Sequence, residues 1–281
     1  MIVKIDTKFD TIDLMKTLQE RAELIKIILF DIDDTLRVKD TEFMPDSVAL
    51  AFDKLRDKGI LTGIATGRSF AGVIPEIKAL KPDFFITANG AYVEDKDQNI
   101  VYDKHYSSEF VEEQIDWLKS VDSDYVFYGN HSVAISRWTD LNREVFTGIY
   151  GDMAVNPDFY KENSVYQLVS VSDHDDQIVL PEKFKDKIRM VRWHPLSSDL
   201  VPMVGSKAIG AEKVLEHLGL TAENLMNFGD ELNDRELFDF AGLSVAMKVS
   251  HPEILDKADY VTDAVENDGV YKALIELGII E

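Results

Sequence analysis

Leu29-Phe30-Asp31-Ile32-Asp33-Asp34-Thr35-Leu36 is the stretch of sequence that decides the fold of this chain. An apolar run that begins at Ile25 leads into it and predicts a buried strand that ends at Phe30. Two acidic residues then follow at an i, i+2 spacing, and carboxylates a few ångströms apart repel one another and lose hydration. A divalent cation or a protonated partner is needed to balance this charge. The stretch therefore predicts a strand whose carboxyl end carries functional side chains.

Strands and helices alternate both before and after the middle of the chain. The predicted strands are 25–30, 60–65, 84–87, 225–228, 243–246 and 260–261. The predicted helices include 69–80, 206–218, 232–240 and 268–277. This alternation predicts an α/β fold with a doubly wound parallel sheet. Ligands bind such sheets at the carboxyl ends of the strands, so we expect the strand-end residues Asp31 and Asp230 to converge, together with Thr66 and Asn89.

Residues 92–200 break this alternation. They contain short alternating runs and two helical stretches, which we interpret as an inserted α+β domain. The two halves of the sheet-bearing core are then residues 1–91 and 201–281. Within the first half, residues 1–24 are expected to be an N-terminal helical extension, with an amphipathic helix over about residues 8–24.

Composition limits the possible partners. The chain has 281 residues, with 52 acidic residues against 30 lysines and arginines, for a formal charge of -22. Nucleic acids and anionic membranes are polyanionic and need a basic face, so neither is expected as a partner. The chain has no cysteine, which excludes disulfides and thiolate chemistry. We see neither a signal peptide nor an apolar run of about 20 residues, and we expect a cytoplasmic protein.

The first acidic pair has two interpretations. Asp31 is placed to ligate a metal and to attack phosphorus as a nucleophile, because a carboxylate can form an acyl-phosphate. Asp33 is placed to protonate the leaving oxygen and later to deprotonate water. The alternative is a solvated acidic turn in which Asp34 and Thr35 make turn hydrogen bonds.

A second acidic cluster, Gly229-Asp230-Glu231-Leu232-Asn233-Asp234, also follows an apolar strand. Asp230 can complete an oxygen shell around Mg²⁺, and Asp234 can add a further ligand or hold ordered waters. The alternative is that Asp230 caps a helix whose first turn favours acids.

Two further motifs favour phosphate binding without requiring it. Thr66, Gly67 and Arg68 follow a strand, where a hydroxyl and free amides can hold a phosphate, although helix capping explains the same pattern. Arg68 fits a surface ion pair or a substrate contact equally well. Lys207 begins a predicted helix, where the helix dipole disfavours a cation. Either Lys207 is simply exposed, or it faces an anion.

The order of these motifs resembles the haloacid dehalogenase superfamily of phosphohydrolases, and the Cof-type branch in particular. The resemblance runs from about Ile25 to the end of the chain. It rests on the two acidic motifs, on Thr66 and Lys207 between them, and on four further segments, 89–91, 241–247, 258–262 and 268–270. It implies a Rossmann-like core with an inserted cap over residues 92–200.

The resemblance also implies roles for individual residues. Asp31 is the nucleophile, and Asp33 is the general acid and base that also gives its backbone carbonyl to Mg²⁺. The implied phosphate-binding residues are Thr66, Gly67, Lys207 and Asn233. The implied metal ligands are Asp31, Asp33, Asp230 and Asp234. The possible substrate contacts are Asn89 and Arg68.

The sequence therefore predicts a Mg²⁺-dependent phosphatase of small phosphorylated metabolites, with sugar phosphates as the first class expected. One alternative is a phosphomutase or phosphotransferase on the same scaffold. The other is a non-enzymatic, phospho-accepting signalling module. One position and one segment depart from the family pattern: Asp34 stands where glycine is frequent, and Lys248-Val249-Ser250 stands where Gly-Asn-Ala is common. Lys248 is expected to change the local charge or substrate access.

Overall fold

The computed structural model describes residues 7–147, 150–203 and 205–281, with side chains from residue 15 onward. The chain divides into two compact units. The first unit comprises the described residues up to Ala65, together with Leu80–Phe85 and Ala211–Glu281. The second unit comprises Thr66–Ala79 and Ile86–Gly210. The predicted domain boundaries at residues 92 and 200 stay a prediction.

Helices and strands are numbered along the described chain. The helices are α1 (Thr7–Ala22), α2 (Asp46–Asp57), α3 (Pro75–Ala79), α4 (Ser108–Ser120), α5 (Asp140–Phe146), α6 (Lys207–Leu218), α7 (Arg235–Phe240), α8 (Pro252–Lys257) and α9 (Gly269–Glu276). The strands are β1 (Ile27–Phe30), β2 (Leu61–Ala65), β3 (Phe84–Thr87), β4 (Tyr92–Asp95), β5 (Ile100–Asp103), β6 (Asp124–Tyr128), β7 (Val133–Ile135), β8 (Ala154–Val155), β9 (Gln167–Val171), β10 (Ile188–His194), β11 (Ser197–Pro202), β12 (Leu225–Gly229), β13 (Leu243–Ala246) and β14 (Tyr260–Val261).

The first unit is built on a parallel sheet in which β1 lies between β12 and β2. The strand order in this unit is β14-β13-β12-β1-β2-β3. All four residues of β1 are buried, as expected for a central strand covered on both faces. Phe30 pairs in register with Phe228 and Ile64, so the chain leaves β1 beside the end of β12. The predicted α/β fold class is confirmed.

The helix predicted over residues 69–80 is wrong in its first half. A short 3₁₀ helix, Phe70–Gly72, is followed by a separate helix, α3, that begins at Pro75. Proline has no N–H, and its ring disfavours helical conformation at the preceding residue, so the helix starts at Pro75 instead of running through it. The helix predicted over residues 232–240 likewise divides into a 3₁₀ turn, Leu232–Asp234, and α7.

The second unit contains a sheet with the strand order β10-β11-β9-β6-β7-β8. Its pairs are antiparallel except for β7 and β8. Side chains alternate between two faces along each strand. Phe127 and Leu168 pack in one apolar cluster with helix α4, and we call this side the α4 face. Val126 and Val169 pack with helix α5 on the opposite side, which we call the α5 face.

Helix α1 is held to the first unit by Arg21 near its C-terminal end. The Arg21 guanidinium donates to the Gly242 carbonyl at 2.9 Å and to both carboxylate oxygens of Asp259 at 2.8 Å. Burial acts to raise the pKa of Asp259, but hydrogen bonds from Arg21 and Ser244 hold it below its ordinary value. Leu18 is buried, as the predicted apolar stripe requires. The stripe residues of the first half of the helix lie outside the described side chains.

We expect Arg21→Ala to lower the free energy of unfolding by about 1–2 kcal/mol, because it removes charge-assisted hydrogen bonds that are only partly screened by water. Urea denaturation measures this change. Lys213→Ala, which removes an ion pair between neighbouring turns of α6, is the control and should cost about 0.5 kcal/mol or less. Equal effects of the two substitutions would show that Arg21 does not anchor α1.

Candidate active site

Three carboxylates of the first unit come together where β1 and β12 end. Asp31 follows β1, while Asp230 and Asp234 follow β12. Each offers an oxygen, and these three atoms lie within 4.8 Å of one another. The side chains are buried, with exposed fractions of 8%, 4% and 1%. The structure thus brings together Asp31 and Asp230, which are almost two hundred positions apart in the sequence.

Local hydrogen bonds fix this cluster. Thr35 donates its hydroxyl to Oδ1 of Asp230 at 3.1 Å. Oδ2 of Asp234 accepts from the backbone N–H groups of Asp230 and Glu231 at 3.2 and 3.3 Å. Gly229 permits this arrangement, because a Cβ there would lie 2.5 Å from Cγ of Asp234. From the sequence, Thr35 was assigned only a turn hydrogen bond, in the alternative interpretation, although its place in the Asp-x-Asp-x-Thr spacing was visible.

The cluster fits a hard divalent cation. Three ionised carboxylates this close repel one another, and burial weakens the solvation that offsets the repulsion. Carboxylate oxygens are the ligands that Mg²⁺ prefers. Asp31, Asp230 and Asp234 therefore form a suitable oxygen donor set for Mg²⁺.

The carboxylate of Asp33 is not part of this cluster. It is half-buried, and one of its oxygens lies 3.7 Å from Nε of Arg37. The next residue, Asp34, has a φ of 57°, in the left-handed region that favours glycine and tolerates aspartate and asparagine. This conformation explains why either aspartate or glycine suits that position. The carboxylate of Asp34 accepts the N–H of Lys39 at 2.9 Å.

The unusual segment Lys248-Val249-Ser250 supports the backbone of the acidic cluster. Ser250 is buried and donates to the Met247 carbonyl at 2.6 Å. The N–H of His251 donates to the carbonyl of Asp230 at 2.8 Å. Lys248 is exposed and lies 3.6 Å from Asp263. Its ion-pair partner is therefore a surface carboxylate that does not belong to the buried cluster.

In the second unit, the structure places Thr66 and Asn89 side by side. Thr66 is buried, and its carbonyl accepts the N–H of Asn89 at 3.1 Å. The Thr66 hydroxyl oxygen accepts the N–H of Arg68 at 3.1 Å. Gly67 is half-buried between them. These two strand-end residues therefore converge within this unit, as the sequence predicts.

Lys207 is fully buried at the first residue of α6. The ordinary expectation of an exposed lysine is wrong here, and the expectation of an anionic partner gains support. Close packing places this helix start against Gly90, whose φ is 87°. A Cβ at Gly90 would lie 2.1 Å from the Ser206 carbonyl oxygen, so only glycine fits. Asn233, in the first unit, is half-buried in the 3₁₀ turn beside Asp234.

Asp199 is a candidate that the sequence did not indicate. It lies on β11, on the α5 face of the second-unit sheet, and accepts a hydrogen bond from Nε1 of Trp193 at 2.8 Å. Burial raises the pKa of Asp199 from 3.8 to about 7, although Trp193 and the nearby Gln167 amide act in the opposite direction. Near neutral pH this carboxyl therefore exists in both its neutral and its charged form.

A family model described as haloacid dehalogenase-like hydrolase matches residues 28–274 of the chain. A solved structure of a sugar phosphatase of subclass IIB of this superfamily has a TM-score of 0.77 and 27% identity to the chain, and the match covers 91% of this chain and 100% of that one. These matches confirm the family resemblance and the enzyme class predicted from the sequence. Among the described residues, no helix combines the length and the apolar character needed to cross a membrane.

Two curated relatives extend this comparison. YkrA of Bacillus subtilis, which is named for a phosphatase activity, is 32% identical over 91% of this chain and 99% of its own length. A protein of Streptococcus pyogenes serotype M6 is 44% identical over 94% of this chain, and its name combines a phosphatase with a peptidyl-prolyl cis-trans isomerase. The chain spans about half, 56%, of the length of that streptococcal protein.

We expect Mg²⁺ to raise the thermal unfolding midpoint of the protein relative to a chelator, because an ion that binds only the folded state adds about 2.7 kcal/mol at one hundred times its Kd. Asp230→Asn should lose most of this increase. Differential scanning calorimetry measures both effects.

Asp256→Asn, which removes an exposed carboxylate of the same unit, is the matched control and should keep the full response to Mg²⁺. If Asp230→Asn responded to Mg²⁺ as strongly as this control, the buried cluster would not be the metal site.

The raised pKa of Asp199 predicts a pH-dependent contribution to stability. Between about pH 4 and pH 7 the Asp199 carboxyl keeps its proton in the folded state but releases it in the unfolded state. The stability that this proton binding contributes is therefore lost as the pH rises through about 7. Asp199→Asn should therefore become more stable, relative to the parent chain, as the pH is raised from 5 to 8. Urea denaturation at each pH measures the difference, with the exposed Asp176→Asn as control for the change of charge. A difference that stays constant with pH would contradict the raised pKa.

Proposed function

We propose a reaction for this chain from one premise: the chain belongs to the family of haloacid dehalogenase-like hydrolases. The reaction is the hydrolysis of phosphate monoesters of small metabolites, with Mg²⁺ as cofactor and an aspartyl-phosphate intermediate. The observation that carries this proposal is the buried cluster of Asp31, Asp230 and Asp234, whose oxygens lie within 4.8 Å of one another. A phosphoryl group and a divalent cation suit a site of this charge and chemistry.

In the proposed first step, a carboxylate oxygen of Asp31 attacks phosphorus. The new bond joins Asp31 to the phosphoryl group, and the bond between phosphorus and the leaving oxygen breaks. The electron pair of that bond stays on the leaving oxygen, which takes a proton from Asp33. An alcohol leaves, and Asp31 carries the phosphoryl group.

In the second step, water attacks the phosphoryl group held by Asp31. Asp33, now ionised, removes a proton from this water. The bond between phosphorus and the Asp31 oxygen breaks, which releases inorganic phosphate and restores the Asp31 carboxylate. Asp33 is again protonated at the end of the cycle. One carboxyl group thus acts as acid in the first step and as base in the second.

We assign the metal to Asp31, Asp230 and Asp234, together with the backbone carbonyl of Asp33. Bound there, Mg²⁺ offsets the negative charge of the phosphoryl oxygens and of the attacking carboxylate. Following the resemblance to the family, we assign the phosphoryl oxygens to Thr66, Gly67, Lys207 and Asn233. The burial of Lys207 supports its assignment, because a cation removed from water interacts more strongly with an anion.

We further propose sugar phosphates as the first class of substrate and residues 92–200 as the cap that selects them. The similarity to a structure named as a sugar phosphatase supports this choice. Arg68 and Asn89 are the proposed substrate contacts outside the cap. The cytoplasm is the proposed location, because phosphorylated metabolites are intracellular and the chain has no cysteine.

Asp31→Asn should reduce phosphate release by roughly a thousandfold or more, because the amide oxygen is a poor nucleophile. The matched control is Asp34→Asn, which removes a neighbouring carboxylate, keeps an acceptor for Lys39 and suits the left-handed conformation of that residue. This control variant should retain phosphate release within a few-fold of that of the parent chain. Steady-state phosphate release measures both. Near-normal turnover by Asp31→Asn would eliminate Asp31 as the nucleophile.

A phosphate-release screen over phosphorylated metabolites, with Mg²⁺ and with chelator, tests the whole proposal. We expect phosphate to be released when Mg²⁺ is present and not when a chelator is present. We also expect faster release from sugar phosphates than from nucleotides. Transfer of phosphate to added sugar without free phosphate would favour the phosphotransferase alternative. A stable phospho-aspartate without turnover would favour the signalling alternative.

A further inference from the structure

Arg37 is a buried cation beside the proposed general acid. Its side chain is only 7% exposed, and its Nε lies 3.7 Å from a carboxylate oxygen of Asp33. Its Nη2 lies 3.5 Å from a carboxylate oxygen of Glu42, whose side chain is exposed. All three residues belong to the first unit. Arg37 therefore stands between a surface carboxylate and the carboxyl group to which we assign proton transfer.

The backbone of Arg37 closes the turn that carries the first acidic pair. The N–H of Arg37 donates to the Ile32 carbonyl at 3.0 Å, and the N–H of Asp34 donates to the Arg37 carbonyl at 2.6 Å. Asp33 and Arg37 also form an isolated β-bridge. These contacts fix the backbone of Arg37 relative to that of Asp33, so the guanidinium has a defined position from which it attracts the carboxylate.

An ion pair with Glu42 alone does not explain the burial of Arg37. Burying a guanidinium costs free energy unless an anion and hydrogen-bond acceptors compensate it, and an arginine that served only an exposed carboxylate would remain hydrated. Within the part of the chain that the structure describes, the buried Nε of Arg37 has no hydrogen-bond acceptor. The buried side of the guanidinium instead faces Asp33, and a cation removed from water attracts a carboxylate more strongly.

The carboxyl group of Asp33 needs such a restraint. The cluster of Asp31, Asp230 and Asp234 suits a divalent cation, and a further carboxylate nearby competes for a place among the oxygen ligands. Asp33 is only two residues from Asp31, and its backbone carbonyl is one of the proposed ligands. A carboxylate that ligates the metal is not available to pass a proton to the leaving oxygen.

We propose that Arg37 is a positioning residue that draws the Asp33 carboxyl group away from the metal and holds it for proton transfer to the leaving group. This inference rests on the phosphatase function proposed above. Nε of Arg37 lies beyond hydrogen-bond distance of Asp33, so the guanidinium attracts the carboxyl group without occupying the oxygen that exchanges the proton. Arg37 thus acts through Asp33 and is not itself a catalytic residue.

The leaving group of the substrate makes this role measurable. Release of a sugar alcohol needs a proton from Asp33, whereas 4-nitrophenolate is a stable anion and leaves without one. The measured quantity is the ratio of kcat/KM for the best sugar phosphate of the screen to kcat/KM for 4-nitrophenyl phosphate. We expect Arg37→Met, which removes the charge, to lower this ratio at least tenfold. Arg37→Gln removes the same charge but keeps a polar side chain, and it should lower the ratio similarly.

A double-mutant cycle separates this role from general damage to the site. Asp33→Asn alone should lower the ratio, and adding Arg37→Met to it should cause no further fall. The second readout is the Kd for Mg²⁺ without substrate, measured by titration calorimetry. We expect Arg37→Met to bind Mg²⁺ several-fold more tightly, because the Asp33 carboxylate can then join the metal ligands. This gain should be lost when Asp33→Asn is also present.

Arg56→Met is the control, because Arg56 also pairs with a carboxylate of the first unit, Asp53 at 2.7 Å, but on the exposed face of α2. Its ratio and its Kd for Mg²⁺ should match those of the parent chain. An unchanged ratio or an unchanged Kd in a folded Arg37 variant would overturn this inference and leave the phosphatase proposal standing, as would an equal fall of the ratio in the Asp33→Asn background. A parent chain that releases no phosphate from any substrate would contradict both.

Discussion

Repulsion among three buried carboxylates is the constraint on which the rest of this structure depends. Asp31, Asp230 and Asp234 are held close together, largely away from water, and the Thr35 hydroxyl donates to Asp230. A fold keeps such an arrangement only where a cation or a substrate compensates its cost. The first unit is therefore organised around a concentration of buried negative charge.

Several otherwise ordinary features follow from this constraint. Parallel pairing of β1 with β12 brings two distant segments to the same sheet edge. Gly229 leaves room for the Asp234 carboxylate, and the N–H of His251 fixes the carbonyl of Asp230. The second unit carries Thr66 and Lys207, to which we also assign roles, and both side chains are buried. Both units therefore contain buried polar groups among the residues of the proposed site.

The sequence predicted the parts of the molecule whose signals are local. Strand β3 at Phe84–Thr87 and the convergence of Asp31 with Asp230 were both accessible, because each depends on an apolar run and the polar residues that follow it. The helix predicted over residues 69–80 failed where Pro75 outweighs helical periodicity. Strand β10 gives a weak sequence signal, because Arg189 and Arg192 interrupt its apolar residues.

Asp199 and Gln167 could not have been found from the sequence. Each is a single polar residue in an alternating strand, and nothing near it in the chain marks it as special. Their proximity depends on the register between β9 and β11, which are separated by more than twenty residues and by the edge strand β10. Thr35 is an intermediate case, because its position in the motif was clear but its bond to Asp230 requires the folded sheet.

The most direct test of the central claim is a crystal structure of the protein soaked with Mn²⁺, a cation that accepts the same oxygen ligands as Mg²⁺ and can be located by its anomalous scattering. We expect one strong anomalous peak within coordination distance of carboxylate oxygens of both Asp31 and Asp230. If Mn²⁺ fully occupied other sites but gave no anomalous peak between Asp31 and Asp230, the assignment of this cluster as a metal centre would be contradicted.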